Sequence, residues 1–536
     1  MKRRDFLRTG ALTGAAALIP TGAEAVEKSS IEYTADDFEL EEKTIADLQR
    51  DMVTGKRTSQ SITNVYLERI NSIDKRGPKL NSVIEINPDA MSIARALDAE
   101  RKSRGPRGPM HGIPVLIKDN IDTADRMMTT AGSLALEGSH PERDAFIAQH
   151  LREAGAVIIG KTNLSEWANF RSTHSTSGWS GRGGQTKNPY VLDRNPCGSS
   201  SGSGAAVAAN LCAVAVGTET DGSVTCPAAI NGIVGLKPTI GLVSRSGIIP
   251  ISHTQDTAGP MTRTVADNAI LLNVLGGVDP RDSSTTARGR HASPDYTQFL
   301  DSNALKGARI GVPREKFYGY NDATDKVCNE AIELMKSRGA IIVDPANIPH
   351  AGEYDDAEFE VLLYDFKADL NTYLSGLGPS ARIKSMSDII AFNEREKSKE
   401  MPWFGQEIML MAEKKGSLLS SKYLTALAKC RRMSRTDGID AVMNQHRLDA
   451  LVAPVTGPAW PTDLINGDHF VGGSTTPAAV AGYPNITVPA GFVSELPIGL
   501  SFFGRAWSEP KLIALAYSFE QASKHRRRPR FVTSLS

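Results

Sequence analysis

The chain has 536 residues, with 61 basic and 61 acidic side chains and no net formal charge. That balance excludes a whole-molecule field suited to nucleic acid or to an anionic membrane surface. At 40% apolar and 23% charged residues the composition is that of a globular protein, long enough for one large α/β domain or a few smaller ones.

In chain order the first feature is an address. Arg3-Arg4 is followed by Asp5-Phe6-Leu7, a mild apolar run over residues 11–19 and the small-x-small site Ala23-Glu24-Ala25. This order of elements resembles a twin-arginine export signal over residues 1–25. The apolar run is too short and too rich in glycine and alanine to anchor the chain in a bilayer. The expectation is a mature protein that starts near Val26 and works in the periplasm or as a secreted enzyme, with no stable membrane insertion.

Apolar residues spaced three and four apart predict helices over 44–76, with Thr44 and either Thr58 or Ser59 as N-caps. From 110 to 260 short β-branched runs (114–117, 156–159, 213–216, 233–236) alternate with Gly/Ser/Thr loops and helical stretches. That alternation predicts an α/β fold with a mixed or parallel sheet covered by helices. The turn-rich stretch 279–300 reads as an exposed connection. Residues 308–312 read as a strand, 325–338 and 355–445 as largely helical, and 449–455, 485–493 and 497–503 as strands again. The last helix is expected over 510–524, followed by a basic tail, His525 to Arg530, in solvent. Strands on both sides of the helical middle predict one domain over 26–536. Its sheet is completed by the C-terminal segment, and 355–445 forms an insertion or cap.

Five cysteines, Cys197, Cys212, Cys226, Cys328 and Cys430, are too few and too scattered for a disulfide framework and read mainly as buried small hydrophobes. Cys197 and Cys226 flank the site described next, which admits sensitivity to thiol reagents. No Cys/His spacing fits zinc, so no metal is expected.

Three segments carry chemistry. In Gly112-Ile113-Pro114-Val115-Leu116-Ile117-Lys118-Asp119-Asn120 a lysine ends an apolar run. Inside a sheet, desolvation would lower the Lys118 pKa towards that of a usable neutral base. Alone, the segment fits better a strand-end lysine with its stem packed and its head in water. Asn195-Pro196-Cys197-Gly198-Ser199-Ser200-Ser201-Gly202-Ser203-Gly204 leads into an alanine-rich helix and presents hydroxyls with backbone N–H groups. Gly217-Thr218-Glu219-Thr220-Asp221-Gly222-Ser223-Val224 follows a short strand and is rich in turn formers, so consecutive N–H groups there could converge on an oxyanion. A serine hydroxyl needs a base. No histidine sits in a recognisable hydrolase motif, and a neutral lysine relayed through a second serine supplies the same logic.

Two other patterns fail on context. Residues 155–162 match the phosphate-loop spacing, but the residues between the glycines are apolar and form a strand, not a loop. Gly198-Ser199-Ser200-Ser201-Gly202 matches a nucleophile elbow, which requires a preceding strand where this chain has a turn and a proline. A histidine-dependent hydrolase would have to use His446, His469 or His525.

Together GIPVLIKDN, GSSSGSG and GTETDGS closely resemble the amidase-signature family, as do Cys226-Pro227-Ala228, Gly235-Leu236-Lys237-Pro238-Thr239 and Asp256-Thr257-Ala258-Gly259-Pro260-Met261. The resemblance covers residues 40–520. It implies the amidase-signature fold, a large mixed β-sheet core covered by helices on both faces. It implies Ser223 as nucleophile, Ser199 as bridging serine on a cis peptide bond, Lys118 as base, and oxyanion-hole N–H groups from Thr220, Asp221 and Gly222 with Ser223. Ser199 and Ser223 are 24 residues apart, as the family's two serines are. Two positions depart from the common pattern, where glycines are replaced by Asp221 and Ser201. With Trp167-Ala168-Asn169-Phe170-Arg171, Ser177-Gly178-Trp179-Ser180 and Gly183-Gly184-Gln185-Thr186, the departures resemble the bacterial peptide amidase branch, whose members hydrolyse C-terminal carboxamides of peptides. The resemblance implies a small-molecule or peptide amide substrate and no cofactor. An aryl or aliphatic acylamidase or an esterase would use the same triad, and an inactive amide-binding protein would not need it. A transamidation subunit is disfavoured by the export signal and the balanced charge.

Overall fold

A computed structural model describes residues 38–379 and 381–535. The expected export signal lies outside the described residues. The strands in chain order are β1 Val83–Ile86, β2 Pro114–Lys118, β3 Val157–Thr162, β4 Trp179–Ser180, β5 Gly184–Gln185, β6 Val214–Glu219, β7 Val234–Lys237, β8 Thr257–Thr262, β9 Arg309–Gly311, β10 Ile341–Val343, β11 Ala450–Pro454, β12 Asn485–Val493 and β13 Leu496–Phe503. Strands β4 and β5 form a small separate ribbon. The other eleven make one sheet in the order β1-β3-β2-β6-β8-β7-β12-β13-β11-β9-β10.

The sheet is mixed. Strand β2 runs parallel to both β3 and β6, β11 and β10 run parallel to β9, and the remaining pairs are antiparallel. Successive side chains of β2 point to opposite faces, yet all five of its residues are buried. The same holds for β3, β6 and β11. Such strands need helices on both faces, which is why they read as continuous apolar runs rather than alternating ones. The strands β12 and β13, far along the chain, complete the sheet beside β7.

The N-terminal helices are capped by the residues expected. Thr44 closes a capping box on Ile45–Val53, and Thr58 does so on Ser59–Arg69. Between β10 and β11 lie the helices Asp355–Ser375, Met386–Arg395, Glu407–Glu413, Ser421–Arg431 and Asp440–His446. The apolar faces of the first three form a second core, with Leu363, Phe366, Met386, Ile389 and Met409, which closes on Trp167, Phe170, Ile249 and Ile251 of the sheet-bearing part. Among the described residues no helix is long and apolar enough to cross a membrane.

The stretch 279–300 is mostly exposed, as expected, but it is tied down at a few buried residues. Asp279 accepts from the Ser244 hydroxyl at 2.7 Å, Asp282 pairs with Arg245 at 2.7 Å, and Tyr296 is buried. The basic tail is docked rather than solvated. Arg526 pairs with Glu42 at 2.8 Å and donates to the Tyr190 hydroxyl at 2.6 Å, Arg528 pairs with Glu41, and Arg530 pairs with Glu495 at 2.7 Å. In both cases the partners lie far off in sequence, where local composition carries no information about them.

Candidate active site

The site is built where parallel strands β2 and β6 end side by side. Lys118, the last residue of β2, is 0% exposed. Its Nζ lies 2.8 Å from Ser199 Oγ, 2.9 Å from Thr218 Oγ1 and 3.3 Å from the Thr218 carbonyl. Asn120 Nδ2 donates to Thr218 Oγ1 at 3.0 Å. Burial pulls the Lys118 pKa down to about 7, opposed in part by the charges of Asp256 and Glu219. Among the described residues no carboxylate pairs with the amine directly. This settles which of the two readings of the β2 segment holds: the lysine is interior.

The serine loop is fastened to the end of β6. Ser200 Oγ donates to the Thr218 carbonyl and accepts from the Thr218 N–H, both at 3.1 Å. Its N–H donates to the Ser223 carbonyl at 3.1 Å, which joins the segments of the two serines. The Gly198–Ser199 peptide is cis, as the resemblance implied, and the Ser199 carbonyl accepts from the Ser165 N–H at 3.0 Å. A Cβ on Gly198 would lie 2.1 Å from Ser165 Oγ, so any larger residue there would displace that hydroxyl.

The turn after β6 carries Ser223, which is 8% exposed. Among the described residues the N–H groups of Asp221, Gly222 and Ser223 donate to no protein acceptor. Consecutive free donors in a tight turn form an anion-binding nest. The left-handed conformation falls on Gly222, at φ +75°, and not on Asp221. That placement explains why the chain tolerates aspartate at a position where glycine is common. The Asp221 carboxylate ties the turn to the C-terminal part, accepting from the Thr475 hydroxyl at 2.5 Å and the Thr476 hydroxyl at 2.6 Å; burial raises its pKa. Thr220 is held from the other side, its hydroxyl donating to Asp256 at 2.6 Å.

A cavity of about 430 Å³ opens onto this turn, lined among others by Asn169, Gly198, Asp221, Gly222 and Trp460. Its wall includes Cys197 and Cys226, which form a disulfide with Cα atoms 6.1 Å apart. This corrects the reading of these two as simple buried hydrophobes. Cys212, Cys328 and Cys430 are free and buried, as expected.

The pattern of the family described as Amidase matches residues 61–513. The chain belongs to the amidase family. A peptide amidase from Stenotrophomonas maltophilia superposes with a TM-score of 0.89 at 50% identity, covering 92% of this chain and 99% of that one. A peptide amidase in complex with the competitive inhibitor chymostatin gives 0.89 at 51% identity, covering 91% and 99%. An amidase family protein from Bacillus anthracis gives 0.83 at 37% identity, covering 92% and 93%. The amidase is thus an amide-hydrolysing enzyme with the large mixed sheet of its family, close to the peptide amidase structures.

Of the six residues singled out from sequence, Lys118 and Ser199 are in contact, and the backbone next to Ser199 bonds to the Ser223 carbonyl in the turn that also carries Thr220, Asp221 and Gly222. Ser199 meets a lysine rather than His446, His469 or His525. Sequence reasoning missed Thr218, Asn120 and Asp256 as supports. All three stand inside motifs that were quoted, but their hydrogen bonds follow from side-chain direction, which spacing does not give. The decoy Lys161 lies in β3 as a strand residue.

Proposed function

We propose that this amidase hydrolyses C-terminal carboxamides of peptides to the acid and ammonia, through Ser223, Ser199 and Lys118. The observation that carries the reading is the 2.8 Å contact between a fully buried lysine amine and Ser199, on a loop bonded to the Ser223 segment. In the proposed step the Ser223 hydroxyl proton passes to Ser199 Oγ while the Ser199 proton passes to neutral Lys118 Nζ. Ser223 Oγ forms a bond to the amide carbon, and the carbonyl electron pair moves onto oxygen, facing the N–H groups of residues 221–223. Collapse breaks the C–N bond, and the amine leaves as ammonia with the proton returned through Ser199. Water then attacks the acyl-enzyme by the same relay, releasing the acid and restoring Ser223. The similarity to peptide amidases at half identity supports a peptide amide as substrate, and the cleft beside the turn has room for peptide residues.

Export of the chain is part of the same proposal. The twin-arginine-like segment supports it, and so does the disulfide, since such bonds persist in oxidising compartments.

The test is ammonia release from an N-acylated tripeptide amide, a simple aliphatic amide, an anilide and an ester. The expected kcat/KM on the peptide amide exceeds the others by at least about tenfold, the scale of pocket discrimination. Turnover of the anilide or ester with no ammonia from the peptide amide would overturn the substrate assignment.

A further inference from the structure

The Cys197–Cys226 disulfide joins the two segments that carry Ser199 and Ser223. Cys197 stands two residues before Ser199, Cys226 three residues after Ser223, and both line the cleft. The bond therefore spans the two segments whose relative position sets the relay. The other ties between them are hydrogen bonds: Ser200 N–H to the Ser223 carbonyl at 3.1 Å, Ser200 Oγ with both the N–H and the carbonyl of Thr218 at 3.1 Å, and Asn231 Nδ2 to the Pro196 carbonyl at 2.9 Å. Each half of the bridge is itself anchored to a catalytic segment. The Cys197 carbonyl accepts from Ser201 Oγ at 2.5 Å, and the Cys226 N–H donates to the Gly222 carbonyl at 2.7 Å, inside the proposed oxyanion turn. Cys197 also holds a left-handed backbone, at φ +57°, immediately before Gly198.

We propose that this disulfide is a positioning clamp for the reaction. Oxidised, it holds the Ser199 loop and the Ser223 turn in register. Reduced to two thiols, it leaves a folded enzyme of lower turnover. The inference rests on the reading of Ser199 and Ser223 as relay and nucleophile. Reduction needs an external two-electron donor, here a small dithiol, which becomes a cyclic disulfide as Cys197 and Cys226 each gain a proton and an electron. The physical basis is that reaction rates respond steeply to displacement of reacting groups, a shift of about 1 Å being able to cost about a hundredfold. Substrate binding in the rest of the cleft does not pass through this bond, so the loss falls on kcat more than on KM.

The test uses the full chain purified without reductant. Alkylation under denaturing conditions should first count three free thiols, matching the three free cysteines. After dithiol treatment in native buffer it should count five, Cys197 and Cys226 included. The expected result is a fall in kcat of at least about tenfold with KM changed less than about threefold, and slower fluorophosphonate labelling of Ser223. The far-ultraviolet circular dichroism should be unchanged, and activity should return on reoxidation. Cys197→Ser with Cys226→Ser should show the same low kcat and no response to dithiol. If that double variant fails to fold, the dithiol titration of the natural chain still decides. Five free thiols before treatment, or a demonstrably reduced enzyme with unchanged kcat, overturns the clamp. A Ser223→Ala variant with full activity would instead overturn the triad reading, so the two failures are distinguishable.

Discussion

The ends of β2 and β3 lie side by side, and each carries a buried lysine put to a different use. The register pairs Lys161 with Ile117 and Lys118 with Thr162, so the two side chains leave the sheet on opposite faces. Lys161 Nζ donates to the Ile121 carbonyl at 2.7 Å and to Thr129 Oγ1 at 2.9 Å. Burial lowers its pKa, opposed by the charges of Asp119, Asp122, Asp125 and Glu85. Lys118 faces two hydroxyls and a carbonyl, and only two carboxylates oppose its desolvation. The comparison teaches that burial alone does not make a lysine a base. What the amine touches decides: Lys118 lies 2.8 Å from the Ser199 hydroxyl, whereas Lys161 is taken up by a main-chain carbonyl and Thr129.

The comparison can be broken most sharply at its reactive side. Lys118→Ala and Ser223→Ala should each lower kcat by about three orders of magnitude or more, as loss of a relay member does. Lys118→Arg should not restore activity, since a guanidinium stays charged. Near-normal ammonia release from any of these would remove the relay. Lys161→Met probes the other side. It leaves the Ile121 carbonyl with only the long 3.4 Å donation from Thr129 Oγ1, and unfolding in denaturant should show a loss of about 1–3 kcal/mol. Turnover of the folded fraction should hold within a few-fold. A folded Lys161→Met enzyme without activity would mean that both lysines serve the chemistry.

A smaller effect is expected where the helical insertion meets the core. Glu400 accepts from the Ser133 hydroxyl and from the Leu134 N–H at 3.2 Å, and burial followed by the Glu166 charge raises its pKa to about 8 from 4.5. The folded state then keeps a proton that the unfolded chain releases. Stability should fall as pH rises from about 4.5 towards 8 and level off above that, and Glu400→Gln should flatten this slope. Melting temperatures at acid and alkaline pH check it. An unchanged slope would show that Glu400 is not the titrating group.

Much of this was legible in the sequence. The strand runs of β2, β3 and β6 are largely apolar because both sheet faces are covered, and the paired threonine caps announce the first helices. The site was legible because its pieces are local motifs: Lys118 at a strand end, Ser199 in a serine run, Ser223 after a glycine. What was not legible depends on distant pairing. Nothing in the spacing of Cys197 and Cys226 distinguishes a bridge from two buried thiols. The docked tail required Glu42 and Tyr190. Arg171, packed against the Trp179 and Phe404 rings, bonds to Glu166 at 2.5 Å and to the Glu400 carbonyl at 2.6 Å, a link across more than two hundred residues that local patterns do not encode.

The most direct measurement is kcat/KM for ammonia release from a peptide amide as a function of pH, in the natural enzyme and in Lys161→Met. In the proposed relay the free base of Lys118 is the reactive form, and burial pulls its pKa down to about 7, so the rate should rise through that pH and level off above it, with the same midpoint in both proteins. A rate that is flat between pH values well below and well above that midpoint, or a midpoint that moves with Lys161, would contradict an uncharged Lys118 as the base.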